Sequence, residues 1–351
     1  MAYPSVLTDV QTCVDLGVPS RVPIFALGEE FDVEQYDIDY RDYITSPEHM
    51  VACWVQAVQT YDYDWVLLHP DDYIEFEPLG VATKTEQRVP PAAVRYPEAT
   101  AQTLRGLATP DGASAGRMPH HLAGLQGLKE ALGDEVVLAG RVAAPFSAVA
   151  LLYGVEQALM LMMMEPQLFA DTAEFMVELM TYWAREQIEA GADALWVGDC
   201  VASSGFLSPA HYEQFALAGA KRVCDAVKQA GAWAIYHAGE PSLPHLQLAA
   251  EIEPSMINVG EHIDLARVKE ALGDRVCLSG NINPIKLFEA KHLDEVEAET
   301  VAVIEAGKPG GGYIFNTGEG VPRTTDPQII ATMMRTAKDH CRYDEGETLD
   351  V

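Results

Sequence analysis

Short apolar segments that end in glycine, proline or polar residues recur along this chain, and helical patterns fill the gaps between them. That alternation constrains the fold more than any other feature. Eight such segments can be marked: Arg21–Leu27, Asp64–His69, Val136–Val142, Ala194–Gly198, Trp233–Ala238, Met256–Gly260, Val276–Gly280 and Tyr313–Thr317. Mostly β-branched or aromatic, they read as strands. The clearest helix between them runs from Pro166 to Ala190, with Leu168, Phe175, Leu179, Trp183 and Ile188 at roughly helical spacing. Another covers Pro209–Ala230, opened by Ser208 and Pro209 as N-cap and first helical residue and closed at Gly231. Strand and helix in alternation imply parallel pairing, and eight such units predict an α/β fold of the (β/α)8 TIM-barrel type. A doubly wound sheet is the alternative, but no GxGxxG follows an early strand.

A chain of 351 residues fits one large barrel, and residues 1–351 are read as a single domain. The stretch 79–132 is loop-rich, with Pro90-Pro91, Pro97, Pro110 and Gly112, and is expected to form an insertion or lid over the barrel mouth. Acidic residues number 53 against 23 basic ones, a formal charge of −30. Such a field disfavours nucleic acid and anionic membranes, and it repels polyanionic substrates unless arginines are focused locally. Salt adaptation is the alternative account of the acidity. No apolar run approaches a membrane span, and residues 1–20 lack a secretory pattern, so the expected location is cytoplasmic. Six scattered cysteines, with no CxxC, read as reduced thiols and not as a cysteine zinc site.

In a parallel barrel the turns after the strands open on one rim, where catalytic groups gather. His237 ends the strand Trp233-Ala234-Ile235-Tyr236, Glu261 follows the next, and Glu319 follows the last. A histidine and two carboxylates form a sound set for a divalent ion with positions left open for substrate, although a strand-end histidine can equally be structural. Glu240, three residues beyond His237, is a further ligand or supporting candidate. Asp199, after the strand Ala194–Gly198, is a candidate anchor, acid or base, or else a loop hydrogen-bond acceptor. Its neighbour Cys200 is read as packing. Glu29-Glu30 and Asp71-Asp72-Tyr73 are weaker rim candidates, and Met162-Met163-Met164 is read as core filling. No G-x-S-x-G elbow and no P-loop is present.

Several ordered pieces carry a resemblance: Arg21-Val22-Pro23-Ile24, Gly140-Arg141-Val142-Ala143-Ala144-Pro145-Phe146, and Gly191-Ala192-Asp193-Ala194 leading to Asp199. Leu207-Ser208-Pro209 with Phe215, Asp264-Leu265, Gly280-Asn281-Ile282-Asn283-Pro284 and the Asn316–Gly320 turn continue the series. Over nearly its whole length the chain resembles the uroporphyrinogen decarboxylase superfamily. The resemblance implies a distorted (β/α)8 barrel. It also implies one of two chemistries, decarboxylation of a polyanionic tetrapyrrole or methyl exchange with a corrinoid. True decarboxylases of the family carry an arginine-rich segment after the first strand; here that place reads Phe25-Ala26-Leu27-Gly28-Glu29-Glu30. The methyltransferase branch has a zinc site that begins with His-x-Cys and ends with a Cys in the last glycine-rich turn. His237 matches the histidine, while Gly239 and Glu319 stand where the two cysteines would be. Glu261 lies where related cobalamin-independent methionine synthases supply a glutamate ligand.

The resemblance and the rim residues together give one expectation. The chain is a methyltransferase that moves a methyl group from a small methylated compound, an O-methyl donor in particular, to a corrinoid carried by a partner protein. Zinc or another divalent metal on His237, Glu261 and Glu319 would act as Lewis acid, because oxygen ligands leave the metal harder than thiolates do. Asp199, Tyr236 and Glu240 would position the donor or move a proton. A metal-independent decarboxylase or lyase using Asp199, and a non-catalytic corrinoid- or tetrapyrrole-binding protein, are the alternatives.

Overall fold

The structure is a computed structural model that describes residues 5–86 and 88–343. Seven parallel strands form a curled sheet in the order β1-β4-β5-β6-β7-β8-β9. They are β1 (Trp65–Leu67), β4 (Val137–Ala143), β5 (Ala194–Gly198), β6 (Trp233–His237), β7 (Met256–Asn258), β8 (Cys277–Ser279) and β9 (Tyr313–Ile314). The remaining pair, β2 (Ala82–Glu86) and β3 (Val89–Arg95), makes a separate antiparallel hairpin. Each parallel strand lies within a segment predicted from sequence or overshoots it by one residue. The strands are buried on both faces, and such strands read as near-continuous apolar runs; every residue of β4 is buried.

The first predicted strand, Arg21–Leu27, does not form a ladder. It closes the barrel through one parallel bridge, Ile24 to Phe315, with Phe25 N donating to Phe315 O at 3.0 Å and Phe315 N to Pro23 O at 3.0 Å. On its other edge, Asp64 N donates to Ile24 O at 3.0 Å. The reason for the weak pairing is chemical. Pro23 has no N–H to give, and Ile24 N donates instead to the Asp64 carboxylate at 2.7 Å. The same carboxylate receives the Arg21 guanidinium through two bonds of 2.8 and 2.6 Å. Asp64 also passes its carbonyl to Val137 N at 2.9 Å, at the start of β4. One fully buried side chain thus stitches the closing segment to β1 and β4. The result is a distorted (β/α)8 barrel.

The long helix runs Pro166–Glu189, as the spacing predicts. The helix predicted over Pro209–Ala230 is two, Pro209–Phe215 and Leu217–Gln229. The Phe215 ring packs edge-on against Phe169, 5.8 Å between centroids, and the second piece leans onto Pro145 at Gly219. Ser208 caps the first piece at His211 N, and Gly231 follows the second with φ at +91°. Segment 79–132 holds the β2–β3 hairpin and the helices Ala101–Gly106 and Met118–Leu132. The last joins the barrel's helix layer: at Gly124 a Cβ would meet Met50 Sδ at 3.0 Å and Leu68 at 3.1 Å. Among the described residues, no single helix is long and apolar enough to cross a membrane.

Removing the Asp64 carboxylate takes the carboxylate partner from the Arg21 guanidinium and the acceptor from the Ile24 N–H. Asp64→Ala is therefore expected to cost about 3–5 kcal/mol, the usual penalty for breaking a buried pair. Urea denaturation against wild type checks this, and an unchanged midpoint would remove Asp64 from barrel closure.

Candidate metal centre and active-site cavity

A cavity of about 290 Å³ opens on the C-terminal rim of the strands. His237, the last residue of β6, faces it from a buried position. Asn258 at the end of β7 fixes the ring. Its Nδ2 faces two carbonyls, Thr317 O at 3.3 Å and Ser279 O at 3.4 Å. Its Oδ1 therefore points at His237 Nδ1, 2.8 Å away, and accepts the Nδ1–H. The Trp196 indole backs the imidazole, with centroids 4.8 Å apart. An orienting bond of this kind on one ring nitrogen leaves the other free as a ligand.

Nε2 of His237 lies 3.2 Å from Glu319 Oε1. An imine nitrogen and a carboxylate oxygen are both acceptors, so this approach calls for a proton or a cation between them. Burial opposes charging His237, yet the Cys200 thiol and the Glu319 carboxylate outweigh it and hold its pKa well above the ordinary value. Glu319 is lowered in turn: burial acts upward, but the bond to His237 prevails. Cys200, exposed at the start of the turn Cys200–Ala202 after β5, completes the group. The candidate ligand atoms of Cys200, His237 and Glu319 all lie within 4.8 Å of one another. One sulfur, one nitrogen and one oxygen from three different strand ends match the donor types of zinc, with a fourth position open to the cavity.

The structure thus brings together two of the three ligands expected from sequence and replaces the third. Glu261 stays outside the group; its carboxylate pairs with His262 Nε2 at 3.2 Å. Its backbone is pinned by glycine contacts, since a Cβ on Gly318 would fall 2.4 Å from Glu261 N. Glu240 is occupied elsewhere, accepting from Ser204 N at 2.7 Å and Ser242 N at 2.6 Å, so it acts as a loop clamp. Asp199 and Tyr236 do meet, beneath the cavity. Tyr236 OH donates to Asp199 Oδ2 at 2.9 Å and in turn accepts from Tyr212 OH at 2.9 Å. Ser147, which lines the cavity, donates to Asp199 Oδ1 at 2.8 Å. Burial raises the Asp199 pKa to about 6, against the three hydrogen bonds that favour its anion.

The opposite wall joins the weaker rim candidates Glu29 and Asp72 to Arg141, His69 and Glu75, which the sequence reading did not name as site residues. Arg141 projects from β4 and is buried, with Nη1 on Glu75 at 3.0 Å and Nη2 on Asp72 at 2.9 Å. His69 lies between Glu29, 3.1 Å from Nδ1, and Asp72, 3.3 Å from Nε2. Burial disfavours its charge, but the two carboxylates raise its pKa to about 10. None of the lining residues comes from 79–132.

Residues 17–340 match the family model described as uroporphyrinogen decarboxylase (URO-D). The chain belongs to the uroporphyrinogen decarboxylase family. Among its relatives, a uroporphyrinogen decarboxylase from Streptomyces avermitilis is 28% identical over 296 residues, covering 82% of this chain and 80% of its own. One from Geotalea uraniireducens is 27% identical over 297 residues, covering 82% and 84%. A solved methyltransferase from Methanosarcina mazei superposes with a TM-score of 0.86 at 20% identity, over 95% of this chain and 98% of that one. A B12-independent methionine synthase from Shewanella sp. W3-18-1 gives 0.53 at 10% identity, over 92% and 97%. Both structural likenesses are likenesses of fold, and they agree with a distorted barrel for this member of the uroporphyrinogen decarboxylase family.

Gly239, at φ +56°, makes the His237–Glu319 contact possible: a Cβ there would lie 2.6 Å from Glu319 Oε1. Gly239→Ala is expected to push Glu319 out of the group and abolish stoichiometric zinc binding, read by competition with a chromogenic chelator. Asn258→Ala should keep the ligands but free the ring, weakening zinc about 10–100-fold, as loss of an orienting partner does. Unchanged affinity in both variants would reject the assignment.

Proposed function

We propose that this protein is a methyltransferase that transfers the methyl group of a small methylated donor, an O-methyl compound in particular, to a corrinoid presented by a partner protein. The observation that carries the reading is the Cys200–His237–Glu319 group in a rim cavity. The fold shared with a methyltransferase of Methanosarcina mazei supports it. So does the cavity's size, about 290 Å³, at the lower end of small-molecule sites and suited to a small donor.

Cys200, His237 and Glu319 would hold a zinc or similar divalent ion, which supplies Lewis-acid polarisation of the donor's heteroatom. The sulfur of Cys200 makes this set softer than the all-oxygen carboxylate pair expected from sequence, and it remains compatible with zinc. The remaining work falls to the chain itself. Asn258 keeps Nε2 of His237 directed into the cavity. As the O–CH3 bond breaks, the electron pair stays on oxygen and a proton must follow. Ser147, in the lining and bonded to Asp199, is placed to relay it, with Asp199 replenished through the Tyr236 and Tyr212 hydroxyls. Glu319 and Asp72 are partly exposed at the mouth, which leaves an approach for a bulky acceptor.

Decarboxylation of a small acid is the second reading, favoured by the relatives' names and by the raised pKa of Asp199. Against it stands Arg141, the arginine in the cavity lining, whose guanidinium is already engaged by Glu75 and Asp72. Elemental analysis separates the two. Wild type is expected to purify with about one zinc per chain, the stoichiometry of a single three-ligand site with a position open to substrate, and His237→Ala with none. Transfer from 2-methoxyphenol to cob(I)alamin, followed by absorbance, should be lost in well-folded Glu319→Ala. Absence of metal from both wild type and variant, or normal transfer by Glu319→Ala, would reject the metal-assisted mechanism.

A further inference from the structure

The wall facing the metal group is built from charges, and their pairing decides what the cavity accepts. Both cations on it are taken. Arg141 spends Nη1 on Glu75 and Nη2 on Asp72, and His69 offers each ring nitrogen to a carboxylate. The acids are not used up. Glu29 engages His69 through Oε1, and Asp72 engages both Arg141 and His69 through Oδ1. Among the described residues no donor reaches Glu29 Oε2 or Asp72 Oδ2. Two lining carboxylates, Glu29 and Asp72, face two cations, Arg141 and His69, and Glu75 lies buried behind Arg141, so no positive charge is left over on the wall for an anion. Buried cations saturated by carboxylates have little attraction left for another anion.

The backbone supports a functional placement of Glu29. It sits at φ +38°, a left-handed conformation that residues with a Cβ adopt at a cost and that recurs at functional sites. The consequence is a carboxylate turned into the cavity beside the metal group: a Cβ on Gly320, next to Glu319, would lie 3.6 Å from Glu29 Oε2. Free acceptors therefore stand on the wall next to the group that would activate the donor.

We propose that the cavity selects a small neutral or cationic donor, held by its hydroxyl or ammonium group against Glu29 and Asp72, and rejects carboxylated compounds. This rests on the cavity being the donor site of the proposed methyltransferase, and it adds the class of donor. The selection is electrostatic: a like charge brought against a partly buried carboxylate is disfavoured, and an opposite charge gains.

Three probes of one shape test it: 4-methoxybenzylamine, 4-methoxybenzyl alcohol and 4-methoxybenzoate. Calorimetric titration into chelator-treated protein removes any attraction of the benzoate to a metal ion. The amine and the alcohol are expected to bind at least about tenfold more tightly than the benzoate, a modest discrimination for juxtaposed charges. Glu29→Gln keeps an acceptor and deletes the charge, so it should weaken the amine about tenfold and leave the alcohol within about threefold. Asp72→Asn should act in the same sense. Benzoate binding as tight as the amine, equal losses for amine and alcohol in Glu29→Gln, or no binding of any probe overturns the proposal. Binding is read without turnover. Amine and alcohol preference without methyl transfer therefore rejects the function and keeps the charge selection, whereas methyl transfer with benzoate preference does the reverse.

Discussion

Barrel closure in this protein depends on one carboxylate. Asp64 holds Arg21 and the Ile24 amide on one side, and through its own backbone it joins Ile24 and Val137. A closed parallel barrel normally closes by a continuous ladder, but here the first stave carries a proline and cannot supply one. A charged side chain buried with its partner replaces the missing amide bonds. Everything at the mouth inherits this arrangement. Glu29 follows the closing segment and Glu319 follows β9, and both line the cavity because those two ends lie side by side. Leu27, bonded to Thr317 Oγ1 at 3.0 Å and to Val321 N at 2.8 Å, continues the seam up to the rim.

Above that seam the cavity has two walls of different character. On one, a thiol, an imidazole and a carboxylate converge, with the imidazole's tautomer set by Asn258. On the other, a line of paired charges runs from Glu29 through His69, Asp72 and Arg141 to Glu75. Beneath both lies the hydroxyl and carboxyl chain from Ser147 to Tyr212. These are the parts that the proposed methyl transfer would use to activate a leaving group, select a donor and supply a proton. They come from strand ends, from the loops that follow them and from the helices Pro145–Tyr153 and Pro209–Phe215.

Much of the fold was legible because parallel strands buried on both faces leave an unbroken apolar signature, and because helix ends such as Ser208-Pro209 and Gly231 carry local chemistry. Ala194–Gly198 is the same in sequence reading and structure. The failures arose where tertiary contacts rule. Nothing local says that Ile24 N prefers a side chain 40 residues away, or that helix 209–230 breaks at Ala216. The site follows the same rule. That His237 and Glu319 belong to one rim was legible from their strand ends, but whether Glu261 or Cys200 stands beside them depended on which loop leans inward. Glu261 turns to its neighbour His262, whereas Cys200 faces the cavity from a short turn. A polar residue at the end of β7, directly opposite His237 in register, was the available signal for Asn258. On the other wall Glu29 and Asp72 were legible only as weaker rim candidates, and their pairing with His69, Glu75 and Arg141 was not, because the five residues are contributed by three separate segments.

The bare backbone at Gly239 also limits how such a centre can change over time. With Glu319 in place, a Cβ at 239 would lie 2.6 Å from Glu319 Oε1, and at φ +56° any side chain there is strained. A substitution at 239 therefore requires the carboxylate to shift, so the approach of Glu319 to the histidine depends on a residue that binds nothing.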